Sequence, residues 1–456
     1  MTNKITSKSA DATFINRLDI VSNKSGQSVS VLNGIVNLMY YESILQDSVR
    51  ATVTFVDAGN TIENKTALDG LPIVGQEKVF LKFTDNNENI LDFGDVKTNH
   101  LYVNKVTPIS DDTTKSMVQL DLTSKEFIMN EKIRLNTRFD GKVSDHISKI
   151  LTDKSYLATQ KTVDIEPTSN NYNFIGNNRK PYYTMNWLSK TAVSSENQKK
   201  NSSAGYFFYE TSEGFKFKSI DGLLSQEKKR SIIYNQSPDS RGANIPEGYD
   251  MKALEYRKDN NIDVQNKLQL GAFSTRTVLF DPFNCYYEVI TPSAEQKKNA
   301  YKTAGKDLPQ LNAEFERPGN NKEFSRTTYM LLDKGTLPTG SGKGKDQEQI
   351  AKSAEQNFEP KEILNQAIMR YNQLYSQKTT ITIPGDFSLH AGDVIFVDAP
   401  QLETDTKNDE VNKESGGLYI ISDLCHYISV NETYTKMNLV RDSFGRTGNH
   451  SSKIPL

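Results

Sequence analysis

The chain has 456 residues, enough for two to four domains of roughly 100–200 residues each. Its 55 Lys and Arg are balanced by 57 Asp and Glu, giving a net charge of −2, which excludes the clustered basic surplus of a tight nucleic-acid binder. A mean hydropathy of −0.61 and the absence of any apolar run near the roughly 18 residues of a membrane span predict a soluble chain, while 21 Tyr and 21 Phe argue against disorder.

Alternation with a period of two dominates the first 125 residues. Arg50 to Asp57 places Ala51, Val53 and Phe55 on one face and Thr52, Thr54 and Val56 on the other. Val79 to Phe83 is a second strand, closed by a turn at Asp85-Asn86-Asn87. Leu101 to Val106 and Met117 to Thr123 pair across Ser110-Asp111-Asp112. Short strands with turn signals at this spacing predict an antiparallel sandwich or barrel. The period then changes. Val143, Ile147, Ile150 and Leu151 form the stripe of an amphipathic helix. A second helix is expected to start with Thr184 as N-cap and to carry Met185, Leu188 and Ala192 inward. Tyr206 to Tyr209 and Phe215 to Lys218 form a hairpin across Glu213-Gly214. Residues 126–235 therefore read as a small α+β domain.

From about residue 250 the strand pattern returns, with Thr277 to Phe280 and Cys285 to Ile290 flanking Asp281-Pro282. Residues 292–349 are polar and weakly periodic, and read as a long loop-like insertion. Beyond Pro360, Ile363, Leu364, Ala367, Ile368, Tyr371, Leu374 and Tyr375 make one apolar helix face. It runs into TTITIPGDFSLHAGDVIFVDAP, two strands punctuated by Pro384-Gly385 and Gly392-Asp393, and then a long hairpin turning near Asn431-Glu432. The tail after Gly445 is polar. Two segments resemble each other: Leu101-Tyr102-Val103 leads to a strand holding Met117, and Leu418-Tyr419-Ile420 leads to one holding Met437. This pattern suggests an internal duplication.

No motif nominates a catalytic or metal site. His100, His146, His390, His426 and His450 show no metal-ligand spacing, and no metal, cofactor or catalytic residue is expected. Cys285 and Cys425 lack a CxxC pattern, as suits a reducing cytoplasm, and the first residues carry no apolar signal-peptide core. Cys425 and His426 are neighbours on a strand and point to opposite faces. Gly340-Ser341-Gly342-Lys343-Gly344 falls short of a phosphate loop, because Gly344 stands where a hydroxyl is needed. The short basic runs Lys199-Lys200 and Lys228-Lys229-Arg230 read as solvated loops. Tyr182, Tyr183 and Trp187, with Phe207, Phe208 and Tyr209, read as packing rather than a carbohydrate platform.

Several stretches together resemble a known family. MYYESILQDSVRATVTFVDAGN, RKPYYTMNWLSKTA with GYFFYETSEGFKFKSIDGLL, IMRYNQLYSQKTTITIPGDFSLHAGDVIFV, GLYIISDLCHYIS and YTKMNLVRDSFG occur in the order found in central baseplate hub proteins of contractile-tailed bacteriophages. Those proteins are related to phage late-control D and to the hub part of type VI secretion spikes. The resemblance implies a mainly β protein with two tail-tube-like antiparallel β-barrels, over 1–125 and over 236–291 with 378–446. A 126–235 α+β domain, a 292–377 insertion with a long helix and a 447–456 tail complete the expected layout. It further implies a non-enzymatic, homotrimeric virion component assembled in the host cytoplasm. Its partners would be a central spike below, tail-tube or tube-initiator proteins above and baseplate wedge proteins around, with DNA passing through its lumen unbound and no membrane contact. The alternatives are a tail-associated cell-wall hydrolase and a receptor- or glycan-binding tail protein.

Overall fold

The computed structural model describes residues 8–58, 65–71, 73–112, 115–195, 204–234, 245–259, 263–273, 275–282, 285–290, 302–315, 324–331, 345–353, 360–401 and 411–447. The alternating N-terminal region forms β1 (Phe14–Val21), β2 (Ser28–Ser30), β3 (Ile35–Ser43) and β4 (Arg50–Asp57), then a helical turn α1 (Ala67–Gly70). β5 (Lys78–Thr84), β6 (Ile90–Phe93), β7 (Leu101–Asp111) and β8 (Ser116–Thr123) complete it. In β4 the expected face is the buried one, with Ala51, Val53 and Phe55 at 1% exposure or less. These residues and their counterparts in β1, β3, β5 and β8 build one core.

The middle of the chain is α+β. It runs through α2 (Lys125–Lys132), β9 (Arg138–Phe139), α3 (Val143–Thr152), β10 (Val163–Ile165), β11 (Phe174–Ile175), α4 (Pro181–Ser189), β12 (Tyr206–Thr211), β13 (Gly214–Ser219) and α5 (Ile220–Leu224). The stripe of α3 and the inner face of the β12–β13 hairpin share a second core. Thr184 is not an N-cap. Lys180 takes that position and Pro181 opens the helix, its fixed φ and missing N–H suiting the first turn. Thr184 sits one turn in and hydrogen-bonds back to the Lys180 carbonyl at 3.1 Å.

The remaining elements are β14 (Arg230–Ile233), β15 (Met251–Lys252), β16 (Glu255–Lys258), α6 (Val264–Leu270), β17 (Thr275–Asp281), β18 (Tyr286–Ile290) and β19 (Arg326–Leu331). They are followed by α7 (Lys345–Ser353), α8 (Pro360–Leu374), β20 (Gln377–Pro384), β21 (Val394–Asp398), β22 (Gly417–Ser429) and β23 (Thr433–Arg441). The expected 277–290 hairpin exists, but it does not join the sheet of β20–β23. It pairs with β19 in a separate sheet ordered β18-β17-β19. β17 is tied instead to α8 and its surroundings: Gln373 and Asn372 of that helix donate to the carbonyls of Ala272 and Leu270 just before it. The 292–349 stretch, read as loop, thus contains a strand and the start of α7, while residues 291–301, 316–323 and 332–344 lie outside the described residues.

The molecule is mainly β, and among the described residues none of its sheets closes on itself. The largest has fifteen strands. It is continuous across the two β regions because β22 serves both. Its first residues pair with β21 (Val394↔Ile420), its last seven with β3 (Asp423↔Ser43 to Ser429↔Asn37), and its other edge with β23 throughout. A thirteen-residue strand is long enough to do this. A third core lies beneath β14, β20, β21, β22 and β23.

Candidate functional site

Along one path the large sheet reads β16-β20-β23-β22-β3-β4-β8-β7: four strands from the C-terminal region and four from the N-terminal region, joined at the β22–β3 seam. Alternation sends one set of side chains into the cores and the other to the opposite face. Registers align that second set in rows across the seam. One row runs Arg257, Thr380, Asn438, Asp423, Ser43. It is hydrogen-bonded from Thr380 to Ser43: Thr380 Oγ1 to Asn438 Oδ1 at 3.0 Å, Asn438 Nδ2 to Asp423 Oδ2 at 3.3 Å, and Ser43 Oγ to Asp423 Oδ1 at 2.6 Å. A second runs Tyr434, Tyr427, Met39, Thr52, Asp121, Lys105, with the two tyrosine rings stacked at 4.7 Å. Charges of both signs therefore interleave on this face. A groove of about 470 Å³ follows the seam, lined by Tyr41, Arg50, Thr52, Asn104, Asp121 and Phe127 among others. Burial pushes the Cys425 thiol beside Tyr41 up to about 11, so it is not a reactive thiolate at neutral pH.

Each end of this path carries edge that is unpaired among the described residues. There β16 pairs only with β20. β7 meets β5 at Lys78↔Tyr102 and Val79↔Leu101 and bonds Glu77 and Gln76 through Val103, and among the described residues its later residues have no ladder partner on that side. Those later residues include Lys105 and Pro108, residue types that suit an edge.

Buried ions fix the two halves and the α+β region to one another. Glu42 of β3 lies fully inside, where its carboxylate accepts from the backbone N–H of Ser212 at 2.7 Å and of Ala391 at 3.0 Å and faces His390 Nδ1 at 3.3 Å. Burial opposes its ionisation, but His390 and these donors outweigh burial and pull the carboxyl down to about 2. In turn, burial disfavours charge on His390, yet Glu42, Asp393 and Glu213 together raise its pKa. A second weld joins Lys161 to Glu210 at 2.6 Å and to Glu126 at 3.3 Å, while Glu210 also accepts from Val49 of the β3–β4 turn at 3.2 Å. The third centres on Arg370 of α8, paired with Asp221 of α5 and Asp442 after β23, each at 2.8 Å. Arg230 of β14 pairs with Asp386 at 2.7 Å.

The Lys161 and Arg370 clusters are enclosed and fasten elements together, while His390 and Asp393 also line a pocket of about 240 Å³ with Asp164, Tyr209 and the half-exposed Glu213. Among the described residues no group of three His, Cys, Asp or Glu side chains is placed to hold a metal. His100 contacts Tyr102, His146 the Tyr172 carbonyl and His426 Thr435. His450, Lys199-Lys200 and the 340–344 glycine run lie outside the described residues. Cys425 and His426 point to opposite faces, as alternation requires, with His426 buried and Cys425 half-buried. The run Lys228-Lys229-Arg230 is a solvated loop only at its start: Lys228 is exposed beside the Phe396 ring, Lys229 is half-buried and pairs with Asp393 at 2.8 Å, and Arg230 is buried in β14. The aromatic set is mainly core, since Tyr182, Phe207, Phe208 and Tyr209 are buried and only Tyr183 and part of Trp187 reach solvent.

Sequence reasoning missed Glu42, Glu210 and Arg370, although each carries a readable signal. Glu42 continues the inward series Leu38, Tyr40; Glu210 continues Tyr206, Phe208; Arg370 stands three residues after Ala367 and four before Leu374 on the apolar stripe of α8. A charged residue at a position where periodicity demands an apolar one marks a buried ion pair.

No protein-family profile matches the chain, and no curated protein matches it in sequence. Its fold does match solved structures. The 43 kDa tail protein of prophage MuSo2 from Shewanella oneidensis superposes with a TM-score of 0.51 at 8% identity, covering 94% of this chain and 99% of that one. A tail protein from Neisseria meningitidis MC58 gives 0.49 at 9% identity, covering 93% and 96%. A component of the E. coli type VI secretion system gives 0.44 at 9% identity, covering 95% and 80%. The fold expected from the hub resemblance is thus that of a phage tail protein over nearly the whole chain.

Proposed function

We propose that this chain is the structural hub of a contractile phage baseplate, a ring of three copies that joins a six-fold tail tube to a three-fold spike. The observation that carries the reading is the eight-stranded path of two four-stranded halves, joined at the β22–β3 seam, with β16 and the later part of β7 unpaired at its edges among the described residues. Each half is a tube-like unit, the first spanning β1 to β8 and the second built from β14 to β16 with β20 to β23, and the α+β region from α2 to α5 braces both. Three chains then present six similar units. Pairing the open β7 edge of one copy with the open β16 edge of the next is a heterologous contact, which closes into a ring at one fixed rotation. The internal resemblance of the Leu101 and Leu418 hairpins fits two sister units, since both become antiparallel hairpins, β7–β8 and β22–β23.

In this role the spike binds below, tail-tube or tube-initiator proteins above and wedge proteins around. The chain acts as a virion component with no cofactor. DNA passes the lumen without specific binding, consistent with the net charge of −2. Copy number in purified tails, counted against the tube protein, tests the reading. Three hub chains per tail are expected, and one or six would contradict it.

A further inference from the structure

The sheet β18-β17-β19 packs one face against the body and leaves the other bare among the described residues. Thr275, Thr277, Leu279 and Asp281 of β17 are buried. On the opposite face the register aligns two rows of three: Val289, Val278, Tyr329 and Tyr287, Phe280, Leu331. None of the six is charged. Tyr329 is 77% exposed, Leu331 69% and Tyr287 65%, with Phe280 and Val289 near 40%. Three partly exposed aromatic rings with the Leu and Val side chains present roughly 500 Å² of contiguous apolar surface, the size at which patches on soluble chains become contact sites. The outer edges of β18 and β19 have no ladder partner among the described residues.

Position and area together identify what covers this face. The sheet follows directly from the open edge strand β16: the chain leaves β16 at Lys258, Asp259 still hydrogen-bonds the Lys378 carbonyl of β20, and α6 leads into β17. β16 is only four residues long. Edge pairing over that length buries on the order of a few hundred Å², well short of the roughly 1,200–2,000 Å² of a stable specific contact. A subunit contact made at β16 alone is therefore too small to hold, and the bare sheet beside it supplies the missing apolar area. We propose that the exposed face of β17, β18 and β19 is covered by a second copy of this chain, the neighbour whose β7 edge meets β16. This rests on the hub reading and adds to it the surface that holds the ring closed.

Sedimentation velocity of the full chain over a concentration series provides the test, comparing wild type with the double variant Tyr329→Lys, Leu331→Lys. Both side chains are exposed, so the variant should melt with the wild type. Tyr183→Lys, at an exposed aromatic on α4, serves as the control. Wild type and control are expected to associate into trimers, and the double variant to need at least about tenfold higher concentration, since buried aromatic anchors dominate such contacts. Unchanged association of the double variant would overturn the proposal and leave the hub reading standing. Two other results would overturn it as well: wild-type association that stops at two copies, or wild-type chain still monomeric at about 100 μM, where contacts of ordinary affinity are populated. Copy number in assembled tails, measured separately, decides the hub reading whichever way this experiment falls.

Discussion

β4 and β17 are strands of similar length, eight and seven residues that mix threonine with apolar side chains, yet they end in opposite situations. In β4 the apolar face is sealed by both neighbours and by the core beneath. In β17 the buried face carries Thr275, Thr277, Leu279 and Asp281, and Phe280 faces outward. Alternation fixes which residues share a face. What lies against each face is decided by elements far away in the chain, and in β17 the face that carries Val278 and Phe280 stays exposed among the described residues.

Substitutions can separate the two situations. The largest loss is expected at the weld: Arg370→Ala removes the guanidinium that pairs with the buried carboxylates of Asp221 and Asp442. It should cost about 3–5 kcal/mol in a denaturant titration. Leu120→Ala on β8, at 1% exposure, should cost about 2–5 kcal/mol by leaving a cavity in the sealed core. Tyr329→Ser on the small sheet should stay within about 0.5 kcal/mol for the same chain unassembled. A comparable loss at both positions would mean that the bare face is covered within one chain.

Gly392 lies between. Its φ of +88° is left-handed, and a Cβ there would run into the Tyr209 hydroxyl. Gly392→Val should destabilise by about 1–3 kcal/mol, read as a lowered melting temperature.

The smallest effect is one of pH. His390 is raised above 6.5 in the fold, so its contribution is full below pH 6.5 and fades as pH climbs through the folded value. Glu42, lowered to about 2, contributes fully above pH 4.5 and loses that contribution as pH falls. The melting-temperature gap between wild type and His390→Gln should therefore be wider at pH 6 than at pH 9. Equal gaps would show that the ion pair with Glu42 does not contribute.

Much of this architecture was legible in the residues. The strands of the first 125 residues, the α3 stripe, the 206–219 hairpin and the final β22–β23 hairpin follow from periods of 2 and 3.6. Local rules failed where a distant partner decides. Thr184 has the chemistry of a cap, but Pro181 starts the helix earlier. Lys228-Lys229-Arg230 resembles a loop in composition until Asp393 and Asp386, more than 150 residues away, fold against it. The 277–290 hairpin signals its own pairing, but not that its third strand is Arg326–Leu331. The seam between β22 and β3 joins residues some 380 apart, and no local pattern encodes that.

That seam joins the two β regions of one chain, and the number of tube-like units they form around the tail axis is the central claim. End-on class averages of the assembled hub by electron microscopy measure it directly. The account predicts three chains giving six tube-like units about 60° apart, with β7 of each chain beside β16 of the next. Six chains around the ring, or one unit per chain, would contradict it.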